Sequence, residues 1–402
     1  MRTLIHELIK DTKEGRDAEA ILRNCVHCGF CNATCPTFRL LGDERDGPRG
    51  RIYLIKNVLE QNRATRETQL HLDRCLTCRS CETTCPSGVQ YGRLLDIGRA
   101  LVEERVPRPA TERLQREALL KIIPKPERLR PLLKLAAFAK PLLPGALRKA
   151  VPDRLPSRQD WPNVEHDRKV ALLEGCVQSV TNPDINLATA RVLDRLGVQA
   201  LPATGCCGAL SHHMSHEEQA LETARRNIDH WWPMVEAGAE AVLLTATGCA
   251  PMVADYGALL AHDPRYAERA EKLASLSMDI SQYLERQDLG VFQRGKRPAR
   301  PIAFHAPCSL QHGLKRSGRV EALLRDLGFD LVSVRDPHLC CGSAGSYSIL
   351  QEDLSKQLLQ DKISKLEENR PDLIATANIG CLVQLQSATK LTVCHWIELL
   401  DT

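Results

Sequence analysis

"RNCVHCGFCNATCPTF", residues 23–38, places Cys25, Cys28, Cys31 and Cys35 within eleven positions and follows the last with Pro36. Fifty residues on, "DRCLTCRSCETTCPSG", residues 73–88, repeats the spacing with Cys75, Cys78, Cys81, Cys85 and Pro86. Both read C-x2-C-x2-C-x3-C-P. Three thiolates two residues apart line a tight turn and reach three corners of an iron–sulfur cube. The fourth, three residues further and expected to head a helix, points into the neighbouring cube. One block alone cannot complete its cluster, and two can. The spacing therefore predicts two [4Fe-4S] clusters: Cys25, Cys28, Cys31 and Cys85 on one, and Cys75, Cys78, Cys81 and Cys35 on the other. Structural zinc usually uses separated C-x2-C pairs, and a disulfide framework needs an oxidising compartment.

Working outward, "RLLGDERDGPRGRIYLIKNVLEQNRATRETQLHLDR" between the blocks reads as a loop and a helix. Ile52, Leu54, Ile55, Val58 and Leu59 recur there at helical spacing. "GRLLDIGRALVEERV" gives another amphipathic helix. Clusters set between helices match the α-helical ferredoxin type found in succinate dehydrogenase iron–sulfur subunits. Arg23, Arg74 and Arg79 flank cluster cysteines. They either raise the cluster potentials, since a cation favours the reduced form, or are solvated surface arginines.

The 402 residues suffice for two or three domains, and 43 % hydrophobic content can bury real cores. Aromatic content of 4 % argues against base-stacking platforms, and a net charge of +4 gives no nucleic-acid signature. The charge is uneven: residues 121–158 carry ten Lys and Arg against Glu127 and Asp153. No apolar run is long enough for a transmembrane helix. "MRTLIHELIKDTKEGRDAEA" does not read as a secretory signal. Seventeen cysteines are thus expected in a reducing compartment, where clustered thiols bind metal more often than they pair.

From residue 168 the pattern turns to strand, helix, strand. "RKVALLEGC" ends in Cys176, "VQALPATGCCGA" carries Cys206 and Cys207, and "AEAVLLTATGC" closes on Cys249. About 130 residues later the order recurs with Cys308, Cys340, Cys341 and Cys381. "LDRLGV" matches "LRDLGF", "CCGA" matches "CCGS", and "TATGC" matches "TANIGC". This internal repeat of βαβ units predicts parallel sheets whose strand ends gather four thiols per repeat at one edge. His212, His213, His305, His312 and His338 lie near these thiols in sequence, and any could fill a ligand vacancy. Cys394 is left over and reads as a buried structural thiol.

The expected fold class is α+β multidomain. An α-helical ferredoxin domain (1–108) is followed by a basic Pro/Leu-rich linker (109–167) and two α/β repeats (168–290 and 291–402). The linker's leucines, interleaved with cations, suit an anionic membrane surface, a partner subunit, or packing back onto the domains. No G-x-G-x-x-G follows a strand and no phosphate loop appears, so no flavin or nicotinamide site is expected. No paired carboxylates or Ser/His/Asp set suggests hydrolysis. The chain reads as an electron conduit with no catalytic residues of its own.

The repeats resemble the cysteine-rich "CCG" domain of heterodisulfide reductases. That motif ends in C-x-x-C, whereas Met252 and Gln384 stand at the last positions here. A cubane cluster, a zinc ion, a redox-active thiol pair or vestigial thiols therefore remain open for both repeats. A two-cluster ferredoxin followed by two CCG repeats resembles three families. They are the glycolate oxidase iron–sulfur subunit, the iron–sulfur subunit of anaerobic glycerol-3-phosphate dehydrogenase, and the lactate-utilisation iron–sulfur protein. "ILRNCVHCGFCNATCPTFRLLGDERDGPRGRIYLIK", "HLDRCLTCRSCETTCPSGV", "NIDHWWPMVEAGAEA" and "HLCCGSAGSYS" look most like the first. The resemblance implies a complex with two flavin-type subunits that oxidises glycolate, with D-lactate a second substrate. Electrons would pass to a quinone-type acceptor at the cytoplasmic face of the inner membrane. The alternative readings are a heterodisulfide or thiol reductase with catalytic CCG repeats, and the iron–sulfur subunit of a lactate or glycerol-3-phosphate dehydrogenase. A redox-sensing scaffold is a further one.

Overall fold

A computed structural model describes residues 1, 3–140, 156, 159–293 and 300–401. The amino-terminal part is helical. Its main helices are Lys13–Asn24, Pro48–Gln61, Arg66–Asp73 and Tyr91–Arg105. Local chemistry sets their ends. The Thr12 and Thr65 hydroxyls accept from the N–H groups of Gly15 and Thr68, and Pro48 opens its helix where no N–H is needed. Of the apolar residues expected to recur here, Ile52, Ile55, Val58 and Leu59 form the buried stripe, packed with Leu22, Leu94 and Leu95, while Leu54 is half-buried outside it. The helices Pro48–Gln61 and Tyr91–Arg105 approach closely because position 98 is glycine; a methyl there would come within 2.6 Å of the Ile55 side chain. Gly98→Ala is therefore expected to cost about 1–3 kcal/mol, read as a lower denaturation midpoint.

Each half of the remainder builds one parallel four-stranded sheet. The first comprises β1 (Arg168–Leu173), β2 (Val198–Ala203), β3 (Ala239–Leu244) and β4 (Ser277–Asp279), in the order β2-β1-β3-β4. The second comprises β5 (Ile302–His305), β6 (Leu331–Val332), β7 (Leu373–Thr376) and β8 (Thr392–His395), in the order β6-β5-β7-β8. Strands β4 and β8 are additions to the three strands per repeat read from sequence. Both are short, and β8 carries Cys394, half-buried at a sheet edge, its thiol pushed up to about 12 by burial.

The repeats are not independent beads. One continuous core runs from Val170, Leu172 and Leu243 of the first sheet to Ile302, Ile374 and Trp396 of the second. Polar clasps close the seam: Gly248 N–H donates to Asn378 Oδ1 (3.0 Å), Thr247 N–H to the Ala377 carbonyl (3.2 Å), and the His395 Nε2 sits 3.0 Å from the Thr245 carbonyl. The second repeat also docks on the helical part. Tyr347 Oη donates to the Arg74 carbonyl (3.1 Å), His312 Nδ1 meets Thr83 Oγ1 (2.9 Å), and Leu76 packs with Cys340, Tyr347 and Leu358.

Between these parts, Ala110–Ile122 and Pro126–Phe138 are helices that bury Leu120 and Leu129 while Leu114, Leu132, Leu135 and Phe138 stay exposed. Part of the basic stretch expected to act as linker, residues 141–155, 157 and 158, lies outside the described residues. No helix among the described residues is long and apolar enough to cross a membrane.

Candidate metal centres

The two cysteine blocks fold as conformational twins. In each, the second residue after the first cysteine and the residue after the second cysteine take left-handed φ: His27 (59°) and Gly29 (88°), then Thr77 (52°) and Arg79 (58°). Three of these four are not glycine and carry steric strain, which persists where a site demands the turn. The result wraps three sulfurs around one side of a loop. The fourth cysteines differ. Cys35 heads the helix Pro36–Leu41, as expected, whereas Cys85 ends the short helix Ser80–Thr84 and is followed by a turn, the next helix starting at Tyr91. The sequence expectation for Cys85 is thus corrected: a proline after a cysteine permits a helix start but does not impose one.

The folded chain crosses the blocks over. One cavity is bounded by Cys25, Cys28, Cys31 and Cys85, with Cys81 also on its wall, and another by Cys75, Cys78, Cys81 and Cys35. The thiols feel each other in the same sets. Burial, then Cys25, and further Cys28 and Cys85, push Cys31 up to about 11. Burial, then Cys78, Cys75 and Cys35, push Cys81 well up. Thiols that resist ionising side by side are what a polycationic cluster stabilises as thiolates, so the donor chemistry fits iron–sulfur cubes.

The charges around the two cavities are unequal. Beside the first, Arg49 is paired with Glu44 at 2.6 Å, and Cys28 is exposed. Beside the second, Arg51 is 1 % exposed. Its Nε donates to the His71 carbonyl (2.7 Å), Nη1 to Thr37 Oγ1 (3.1 Å) and Nη2 to Asp46 Oδ1 (3.4 Å). Asp46 is shared further with His71 Nδ1 (3.0 Å) and Arg74 Nη1 (2.9 Å). Burial opposes the Arg51 charge, but Cys75, Tyr91, Cys35 and Asp46 together hold it charged. The sequence points to Arg23, Arg74 and Arg79. Arg23 is exposed and paired with Glu19, which is the solvated case, and Arg74 belongs to the buried network. Sequence reasoning misses Arg51 because it lies twenty-four residues from Cys75 in the chain; the signal available is an arginine interrupting the apolar helix stripe.

In the repeats, the strand ends gather the thiols as the βαβ pattern requires. Cys176, Cys206, Cys207 and Cys249 lie close enough to shift one another's titration, as do Cys308, Cys340, Cys341 and Cys381. Hydrogen bonds from Cys176 and Cys207, with the Gly208 N–H at 3.5 Å, hold Cys206 well below the usual thiol range. A wide crevice opens on Cys206 and is bounded also by Arg130, Trp161, Arg226 and His230. The second set touches the ferredoxin part, where Cys308 adds to the burial that pushes Cys78 up. Of the five histidines singled out, four stand apart from the compact thiol group. His212 faces Asp96 at 3.4 Å, His213 is held neutral by burial at about 4, and His312 bridges Thr83 and the His338 carbonyl. His338 itself is lowered mainly by burial. Only His305 joins a thiol group.

Comparison with known proteins follows the same division. A 4Fe-4S dicluster domain model matches residues 21–89, and a cysteine-rich domain model matches residues 170–254 and 302–386. The glycolate oxidase iron–sulfur subunit of Escherichia coli K12 is 50 % identical over 403 aligned positions, covering 100 % of this chain and 98 % of that protein. The probable glycolate oxidase iron–sulfur subunit of Bacillus subtilis is 30 % identical over 94 % of this chain and 91 % of its own. Lactate utilization protein A of Shouchella clausii is 28 % identical over 54 % of this chain and 89 % of its own. A dicluster ferredoxin domain joined to two CCG repeats, alike over its full length to such relatives, makes this chain a member of the glycolate oxidase iron–sulfur subunit family.

Proposed function

We propose that Cys25, Cys28, Cys31 and Cys85 hold one [4Fe-4S] cluster, that Cys75, Cys78, Cys81 and Cys35 hold the other, and that the pair relays single electrons for a flavin-dependent 2-hydroxy-acid dehydrogenase. The substrate is glycolate, with D-lactate a second, and the electrons come from two flavin-type subunits. The observation that carries this reading is the crossing of the blocks, in which each triad of thiols faces the last cysteine of the other. The clusters supply one-electron storage when bound. The chain's own residues hold the two ligand sets close together, shield Cys75 and Cys81 from water, and leave Cys28 at the surface for a donor. The acceptor is quinone-type, reached from the inner face of the inner membrane by peripheral contact.

The test is anaerobic purification with and without the flavin-type subunits. About eight irons per chain are expected. Glycolate should bleach the cluster absorption in the complex and leave the isolated chain unchanged. Iron well below that content, or no bleaching in the complex, would overturn the reading. A second reading, thiol–disulfide chemistry at Cys206, draws on its readily ionised sulfur beside the wide crevice; disulfide turnover by the isolated chain with a strong artificial donor would favour it.

A further inference from the structure

The second repeat differs from the first in one residue that matters to a metal. Three positions before the leading cysteine stands His305, where the first repeat has Leu173. His305 ends β5 and lies in register with Thr376, which ends β7. These are the two central strands of the β6-β5-β7-β8 order, where neighbouring connections leave the sheet in opposite directions and ligands gather. Cys341 follows β6, and Cys381 lies in the first turn of the helix Ile379–Gln386. One ring nitrogen of His305 and the sulfurs of Cys341 and Cys381 all lie within 4.8 Å of one another, and all three residues are buried.

The imidazole is already set for ligation. Its Nδ1 meets Thr376 Oγ1 at 2.9 Å. Its Nε2 is buried and has no hydrogen-bond partner among the described residues. An orphaned buried nitrogen costs free energy unless something meets it. Metal-bound histidines characteristically have the other ring nitrogen tied in this way, which fixes the tautomer. Burial keeps the ring neutral, the form that binds metal.

We propose that His305, Cys341 and Cys381 form a mononuclear zinc site in the second repeat, the fourth position of the tetrahedron falling to a donor outside this compact set. Tetrahedral zinc with ordinary Zn–S and Zn–N lengths spaces its donors about 3.5–3.8 Å apart, inside the 4.8 Å spread of this set. A cube would instead spread its ligands over four separate irons. Cys340, next to Cys341 in the chain, lies outside this set, and its sulfur accepts from the Gly342 N–H at 3.4 Å. Lys362 is buried beside Cys340 and Cys341, with its Nζ donating to the Asp336 and Pro337 carbonyls at 3.3 and 3.1 Å. Zinc has no redox chemistry, so the site clamps the Cys340–Cys341 loop that packs on Leu76 and Cys78 of the ferredoxin part. The first repeat, with Leu173, lacks the site.

The experiment uses the full chain, purified anaerobically without chelator, with zinc and iron counted separately. About one zinc per chain is expected, beside the ferredoxin iron. Exchange with Co²⁺ should give intense tetrahedral d–d bands and a thiolate-to-cobalt charge-transfer band. His305→Ala and Cys381→Ser should each weaken zinc retention against a competing chelator at least tenfold. Thr376→Val, which removes only the tether, should weaken it about tenfold. His305→Cys should keep the metal and strengthen the charge-transfer band, which answers the case in which His305→Ala does not fold. Cys176→Ser in the first repeat should change nothing. Absence of zinc, a cobalt spectrum without thiolate bands, or unchanged retention in His305→Ala would overturn the site. None of these outcomes bears on the iron count of the ferredoxin clusters, so the two readings fail separately.

Discussion

Cys35→Ser is expected to cost the chain the cluster beside Cys75, Cys78 and Cys81 while sparing the one beside its own block neighbours Cys25, Cys28 and Cys31. The reason is geometric. Cys35 lines the cavity of the second block, and the Cys31 thiol is crowded by Cys25, Cys28 and Cys85. Iron should fall by about half, and the mirror variant Cys85→Ser should remove the opposite half. Serine is nearly isosteric but a poor ligand for iron, so the fold around the loop is preserved while the fourth corner is lost. Electron paramagnetic resonance on dithionite-reduced samples reads which signal survives. If Cys35→Ser instead damages the cluster of its own block, the ligand sets are uncrossed and the proposed assignment is wrong.

The second large effect concerns Arg51. Replacing it with Met is expected to lower the potential of the cluster held by Cys35, Cys75, Cys78 and Cys81, with the other cluster little changed. Two guanidinium groups, Arg51 and Arg74, stand against one carboxylate, Asp46, in a site shielded from solvent. A buried cation favours the more negative, reduced form. At a fixed poise near the midpoint the ratio of reduced to oxidised cluster should fall at least tenfold, which corresponds to about 59 mV for one electron. Asp46→Asn should move the same cluster the other way, since it removes the compensating negative charge. Arg51→Met also leaves Asp46 partly unpaired, at a cost of about 3–5 kcal/mol, so Arg51→Lys serves as the control that keeps the charge and loses the fork. Redox titration in which both clusters keep their wild-type potentials in Arg51→Met would refute the electrostatic role. Because Arg49 beside the first cavity is neutralised by Glu44, the same logic makes that cluster the lower in potential and the natural entry for electrons at exposed Cys28.

Much of this is legible in the linear chain. Cysteine spacing is dictated by the cluster, so a doubled C-x2-C-x2-C-x3-C-P pattern announces a dicluster ferredoxin. The helices Pro48–Gln61 and Tyr91–Arg105 follow from apolar recurrence, and the repeated strand–cysteine endings follow from duplication. Less legible are β4 and β8, of three and four residues, too short to show a period and placed only by pairing with β3 and β7. The helix start expected after Cys85 also fails, because Pro86 suits a turn as well as a first helical turn.

What the sequence determined by itself, then, is which residue types occur at which intervals, and with them the iron–sulfur chemistry and the parallel-sheet repeats. What only the tertiary structure decided is which partners meet across long stretches of chain. Arg51 becomes a buried charge because His71, Thr37 and Asp46 close around it. His305 stands apart from four other candidate histidines because strand register sets it on Thr376 and beside Cys341 and Cys381. The two repeats share one core because loops at their strand ends interlock. Burial and the meeting of distant side chains are cooperative properties of the packed chain, and no local interval records them.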